Sequence, residues 1–180
     1  MVKGLFIPAD GSKPVERREY HQLEDYQRAV GGWIEAVDMP DFGPVTMYVN
    51  ENGIAERLGP NMRATFLWWF HVPNAREHSA LFGDVAMVGY PDQDGDTTDV
   101  PDDVLDLLTD TTPYVVSMLL EDGIWYRGRN VNRDYWEAVL WAMIKLSREP
   151  EIKDVDVVPA DKANRLPLRP IPPLPTVGSN

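Results

Sequence analysis

Apolar and polar residues change period several times along this chain, and each change marks an element. Residues 2–7 form a short apolar-rich run that reads as a first strand. Over residues 21–30, Leu23, Tyr26, Ala29 and Val30 fall at helical spacing, and Gly31-Gly32 end that helix where left-handed backbone becomes easy. Residues 33–37 and 45–49 read as two strands joined across a turn rich in Pro, Asp and Gly. Asn50-Glu51-Asn52-Gly53 is a turn signal, because Asn and Gly tolerate left-handed backbone. Asn61 is placed to cap a helix running through Ala64, Phe66, Leu67 and Trp68. A strand over 85–90, an aspartate-rich loop over 92–99 and a short helix over 101–108 follow.

A second unit begins after Thr112-Pro113. Residues 114–120 and 124–129 read as strands about Asp122-Gly123, a pair typical of a type I′ hairpin turn. Residues 133–148 are good helix formers, and 154–158 close the unit as a strand, giving ββαβ. That helix carries Tyr135, Trp136, Val139, Leu140, Trp141, Met143, Ile144 and Leu146, which wrap it almost completely. A helix apolar on all sides is covered on two of them. One cover is its own sheet. The other is the N-terminal unit or a second subunit in a homo-oligomer formed through helix 133–148. The expected fold class is therefore α+β: a small mixed or antiparallel sheet with short helices, followed by a ββαβ unit packed against it. The expected organisation is an N-terminal α+β domain over 1–111, the ββαβ unit over 112–160 and a Pro-rich extended tail over 161–180. No internal repeat is visible.

Charge sharpens this outline. The chain has 180 residues, 43% of them hydrophobic, with 29 acids against 17 bases and a net charge of -12. Residues 77–126 contain no Lys or Arg but hold twelve carboxylates, from Glu77 and Asp84 through Asp92–Asp110 to Glu121 and Asp122. The rest of the chain is neutral. Such a concentration of like charge must face water, bind a cation or meet a basic partner. Cysteine is absent, which excludes disulfides, thiolate metal sites and a Cys nucleophile. The apolar patch Leu5–Ile7 is too short for a signal-peptide core, and the run over 114–120 is far shorter than a membrane span, so a cytoplasmic location is expected.

The runs Val30-Gly31-Gly32-Trp33-Ile34-Glu35, Asn50-Glu51-x-Gly53, Asn61-x-x-Ala64-Thr65 and Gly83-Asp84-Val85-Ala86-Met87-Val88-Gly89 form an ordered set. Together they resemble an uncharacterised domain family met in phages and mobile elements, especially of actinobacteria. The resemblance covers about residues 20–110. It implies an accessory, non-structural phage protein acting in the host cell cytoplasm, and it brings no assigned activity.

The candidate sites rest on residue chemistry. Asp92, Asp94, Asp96 and Asp99 alternate as hard-cation ligands do, yet Thr97 stands where an EF-hand needs Gly and Asp103 where it needs Glu. The plainer account is a solvated turn whose Asp residues cap the next helix. Glu35, Glu51 and Asn61 come from the motif positions and could converge on one pocket. Alternatively, Asn50, Asn52, Gly53 and Asn61 shape a turn and a cap, with Glu35 stabilising them. His21, His71 and His78 have no metal-ligand spacing, and His71 after Trp68-Trp69-Phe70 reads as a satisfied, partly buried imidazole. Trp125-Tyr126-Arg127-Gly128-Arg129 interleaves bases and aromatics as single-strand binders do. Strand alternation explains Arg127 and Arg129 equally well as exposed residues, and direct nucleic-acid binding is not expected. Residues 169–175 fit an Arg-x-x-Pro-x-x-Pro pattern, read here as an extended tail.

The functional expectation is a non-enzymatic phage accessory protein that binds a host or phage protein with a basic surface, through the acidic span 77–126. No metal or cofactor is expected. The alternative is an acidic DNA mimic that blocks a host DNA-binding or defence enzyme. A metal-dependent hydrolase comes third.

Overall fold

The computed structural model describes residues 1–77 and 80–170, with the side chain of Glu77 not included. His78 and most of the Arg-x-x-Pro-x-x-Pro segment lie outside the described residues. The elements run β1 (Val2–Ile7), β2 (Glu16–Tyr20), α1 (Leu23–Val30), β3 (Ile34–Met39), β4 (Val45–Asn50), α2 (Met62–His71), β5 (Val85–Pro91), β6 (Thr97–Thr98), α3 (Asp102–Thr109), β7 (Tyr114–Leu120), β8 (Trp125–Asn132), α4 (Tyr135–Arg148) and β9 (Ile152–Pro159), with short 3-10 turns between.

The first sheet has the order β2-β1-β5-β4-β3, with β6 added to β5, and all its pairings are antiparallel. Its central strand explains the unbroken apolar run Val85–Val88, because both faces are covered. Val85 and Met87 join the main core, whereas Ala86 and Val88 pack with Tyr20 and with Tyr26 and Val30 of α1. The Tyr20, Tyr26 and Tyr48 rings tile that second face at centroid distances of 4.9 and 5.1 Å. α1 ends at Gly31 in the left-handed region, φ 78°, where the helix was expected to stop.

The second sheet has the order β8-β7-β9, again antiparallel. Tyr114, Val116, Met118, Val155 and Val157 belong to the same hydrophobic cluster as Leu5, Met47 and Met87 of the first sheet. Ala64 and Leu67 of α2, Leu105 and Leu108 of α3, and Ala138, Val139 and Ala142 of α4 complete it. The fold is thus α+β, and one continuous core runs through both units. α4 packs on β7 and β9 and also against α2 and α3. The Trp136 indole Nε1 donates to the Leu108 carbonyl at 2.8 Å, a bond that stabilises the junction by about 1 kcal/mol.

Three details differ from the sequence expectation. The β7–β8 turn is not type I′, since among its residues only Gly123 has positive φ (76°). Gly123 N–H donates to the Leu120 carbonyl and Ile124 closes the pair, the three-residue turn in which Gly takes the left-handed position. α3 is not capped by the preceding aspartates, because its N-cap is Pro101 with no side-chain cap. β2, with the sequence Glu-Arg-Arg-Glu-Tyr, is a strand that hydrophobic alternation does not announce, because only Tyr20 is buried.

Candidate functional site

The motif positions meet at one end of the first sheet, and the buried polar side chains among them are hydrogen-bonded. Asn61 is fully buried. Its Oδ1 accepts from Ala64 N–H at 3.1 Å, and its Nδ2 donates to the carbonyls of Ile7 (2.9 Å) and Gly83 (3.1 Å). One side chain therefore caps α2 and ties it to the end of β1 and the entry to β5. Thr65 accepts from Leu81 N–H at 2.9 Å, and Asp84 accepts from Ala9 N–H at 2.8 Å. Asn50 is also buried; its Oδ1 accepts from Asn52 N–H at 2.8 Å and its Nδ2 donates to Glu56 at 3.2 Å. A Cβ on Gly32 would stand 2.6 Å from that Nδ2, so the second glycine of Gly31-Gly32 leaves room for the Asn50 side chain.

Glu35 and Glu51 behave differently. Both are exposed, Glu35 within β3 and Glu51 just after β4, and neither carboxylate has a hydrogen bond or ion pair among the described residues. The structure does not gather Glu35, Glu51 and Asn61 into one pocket, because Asn61 is sealed inside. Nor does Glu35 brace the turn. Beside them Trp33 and Ile54 stand out, 67% and 66% exposed.

The aspartate loop is held by its first and last members. Asp92 Oδ1 accepts from the N–H groups of Asp94 and Asp96, both at 2.9 Å, and Asp92 N–H donates to the Asp96 carbonyl. Asp99 Oδ1 accepts from Lys3 N–H at 2.8 Å, and Val100 N–H returns to the Lys3 carbonyl. These bonds fix the backbone, while the carboxylates of Asp94 and Asp96 have no partner among the described residues. Asp102 and Asp103, exposed at the start of α3, have none either. Among the described residues no group of three acids or histidines could hold a metal ion. Asp38 of β3 approaches this end: the Tyr90 hydroxyl donates to its Oδ2 at 3.3 Å and Thr46 to its Oδ1 at 2.7 Å. The nearby Asp38 charge pushes the Tyr90 hydroxyl up from its ordinary value.

Elsewhere the acids of residues 77–126 are dispersed. Asp106 pairs with Arg17 at 2.7 Å and Glu121 with Lys153 at 2.9 Å, while Asp122 accepts from Tyr126 at 2.7 Å. The hydrogen bond to Lys153 lowers Glu121 below the usual carboxylate range.

The basic hairpin is not a free phosphate-binding strip. Arg127 is half-buried, with its Nε buried and without a partner among the described residues, and the strand slips register between Arg127 and Val131. Its outer backbone edge is taken by the chain itself: Arg127 N–H donates to Pro167 O at 2.8 Å and Arg169 N–H to Arg127 O at 3.0 Å. Arg129 is exposed and lines a cavity of about 290 Å³ with Trp141, Lys145 and Arg169. In that cavity Arg169 pairs with Glu149 and Glu151, which removes its charge from any external phosphate.

His71 lies at the junction of the two units. Its Nε2 and the Tyr135 hydroxyl are 2.9 Å apart, and Phe42 covers the ring at 4.0 Å between centroids. Burial lowers this imidazole to about 4 and raises the Tyr135 hydroxyl, so at neutral pH the pair is uncharged. A second opening, between α2 and α4, has about 610 Å³ and is lined by Phe66, Trp69, Arg76, Met143 and Ile144; Trp69 Nε1 is buried without a partner among the described residues. No sequence pattern announces this opening, because it depends on how two helices cross.

The chain matches a known sequence family, described as a domain of unknown function (DUF3846), over residues 2–112. The chain belongs to this family. The DUF3846 match begins with β1 and stops just before β7, so it takes in the whole first sheet, α1, α2 and α3. It reaches further toward the N-terminus than the motifs do. The Asn61 brace, the Asp92 loop and the exposed Trp33 all belong to the DUF3846 part; Arg127 and Arg129 do not. No curated protein and no solved structure matches the chain. No helix among the described residues is long and apolar enough to cross a membrane.

Proposed function

We propose that this DUF3846 protein is a non-enzymatic accessory protein of a phage or mobile element. It acts in the host cytoplasm and binds a host or phage protein with a basic surface. One observation carries this: Asp94, Asp96, Asp102 and Asp103 present unpaired carboxylates on a backbone fixed by Asp92 and Asp99. A charged surface that is already ordered loses little entropy on binding and steers a basic partner toward it. The motif polar groups, in contrast, are engaged inside the fold, which supports a scaffolding role for them.

The DNA-mimic alternative is less well supported. Phosphates of a duplex form an extended array. Here Asp84 is bonded to Ala9 and Asp106 to Arg17, Glu121 and Asp122 sit on the β7–β8 turn, Asp110 stands apart at the end of α3, and the free acids Asp94, Asp96, Asp102 and Asp103 crowd within ten residues. That distribution is a knob rather than a stripe.

Pull-downs from bacterial lysate with wild type and the D94N/D96N/D102N/D103N variant test the proposal. The expected result is one basic protein, lost with the variant and released at about 0.5 M salt, where surface charges are screened. Equal recovery by the variant would refute it. A captured DNA-binding enzyme that duplex DNA displaces competitively would instead favour mimicry.

A further inference from the structure

Every sheet edge is a row of unpaired N–H and C=O groups unless something covers it. In the second sheet, residues 167–169 cover the outer side of β8 at Arg127. In the first sheet, β2 is one edge and carries Arg17 and Arg18; Arg17 is tied to Asp106 and Thr109, and Arg18 lies over the Phe6 ring at 3.6 Å. The opposite edge is β3, Ile34–Met39. Among the described residues, β3 makes no main-chain hydrogen bond beyond its ladder to β4. It contains no Lys, Arg, Pro or bulge, and its six paired residues extend for about 20 Å.

We infer that β3 accepts an additional strand, and that the strand comes from a basic, extended segment of another protein. This rests on the proposal that the chain binds a basic partner, and it names the surface and the form of that partner. Charge decides the occupant. Between residues 29 and 62 the acids are Glu35, Asp38, Asp41, Glu51 and Glu56, and the sole base is Arg57. If two copies paired antiparallel through all six β3 residues, Glu35 would lie opposite Asp38 twice. Like charges directly opposite one another destabilise a ladder. Self-pairing is therefore disfavoured, while a strand with Lys or Arg at those places is favoured.

Glu35 and Asp38 are three residues apart and so point to opposite faces of the sheet. The complementary strand carries two bases three residues apart, one for each face. Trp33 immediately precedes β3, its carbonyl fixed by Glu51 N–H at 2.8 Å and its side chain 67% exposed. An ordered, exposed Trp at the end of an open edge is an apolar anchor for the incoming chain. Asp38, bonded to Tyr90, links this edge to the aspartate loop.

The test uses a capped octapeptide, Thr-Val-Lys-Val-Thr-Lys-Val-Thr, and a control with Glu for both Lys. Amide hydrogen exchange and affinity are measured on the full chain. The expected result is new protection within residues 34–39 with the Lys peptide only, and an affinity about tenfold weaker for E35Q/D38N. W33A, at an exposed position that leaves the fold intact, weakens binding to a similar extent. Equal binding of the Glu peptide overturns the inference. Protection confined to residues 92–99 also overturns it while leaving the acidic-loop proposal standing. Loss of lysate capture in the D94N/D96N/D102N/D103N variant, with peptide protection of 34–39 retained, separates the two in the other direction. A wild-type dimer already protected at 34–39 without peptide would replace the basic strand by a second copy.

Discussion

Replacing Asn61 by Ala should be among the most damaging single changes in the chain. The substitution removes the acceptor for Ala64 N–H, an N-cap whose loss costs about 1 kcal/mol. It also removes both donors to the carbonyls of Ile7 and Gly83, which lie around a side chain with no solvent exposure. A buried acceptor left without a partner costs roughly 1–3 kcal/mol, so the whole change should destabilise by about 4 kcal/mol. Against a typical total of roughly 5–15 kcal/mol, that is a large fraction. Urea unfolding followed by tryptophan fluorescence measures it, and a loss below about 1.5 kcal/mol would refute the brace. Asn61→Asp discriminates further, because it keeps the cap but turns an oxygen toward two carbonyls. A buried carboxylate facing acceptors has its folded pKa raised above the unfolded value of about 3.9. Its ionised form is disfavoured by folding, so stability is best below the unfolded value and declines as pH rises through the folded one. Relative to wild type, Asn61→Asp should therefore recover in acid. A variant as stable as wild type at pH 7 would remove the donor role from Nδ2.

Other consequences follow from neighbouring contacts. His71 falls to about 4 in the folded chain against about 6.5 unfolded, so its contribution is complete above pH 6.5 and is lost as pH falls toward 4. That limb is worth up to roughly 3 kcal/mol, and stability curves of H71F should lack it. Gly32→Ala places a Cβ against the Asn50 amide and should lower stability by about 2 kcal/mol, read as a drop in urea midpoint without a change in slope. Arg169→Ala removes the links to Glu149 and Glu151 and should cost about 1–2 kcal/mol. Limited proteolysis should then cut first between residues 160 and 168, and an unchanged cleavage order would count against Arg169 as the clasp.

The parts of this fold that were legible in sequence are those whose causes are local. β1, β4, β5 and β7 follow from apolar runs, α1 from its spacing and Gly31, and α2 from Asn61. β2 was hidden because its strand character comes from pairing with β1, while its own residues are mostly charged and exposed. The half-burial of Arg127 was hidden because residues 167–169 return to its edge from forty positions away. For the candidate site, the turn-and-cap account of Asn50 and Asn61 was readable, since side-chain amides near turns and helix starts have few other uses. The roles of individual aspartates were not. Asp92 and Asp99 fix the loop and Asp94 and Asp96 are left free, a division that depends on where Lys3 and the loop amides lie.

The same distinction bears on function. Strand order is a property of the whole sheet, so no local pattern says that Ile34–Met39 is an edge. Once it is known to be one, Glu35 and Asp38 take on a different meaning. On a central strand Glu35, which has no bonded partner among the described residues, would be an unsatisfied charge, whereas Asp38 already accepts from Thr46 and Tyr90. On an open edge the two acids oppose pairing with a second acidic copy and admit a basic strand, a combination of exclusion and attraction that gives specificity. Glu35 sits in the same motif run as Gly32, whose missing Cβ makes room for Asn50. One short segment thus serves the scaffold on its inner side and offers a contact on its outer side. Substitutions at Gly32 and at Glu35 should therefore separate cleanly, the first changing stability and the second changing binding at constant stability.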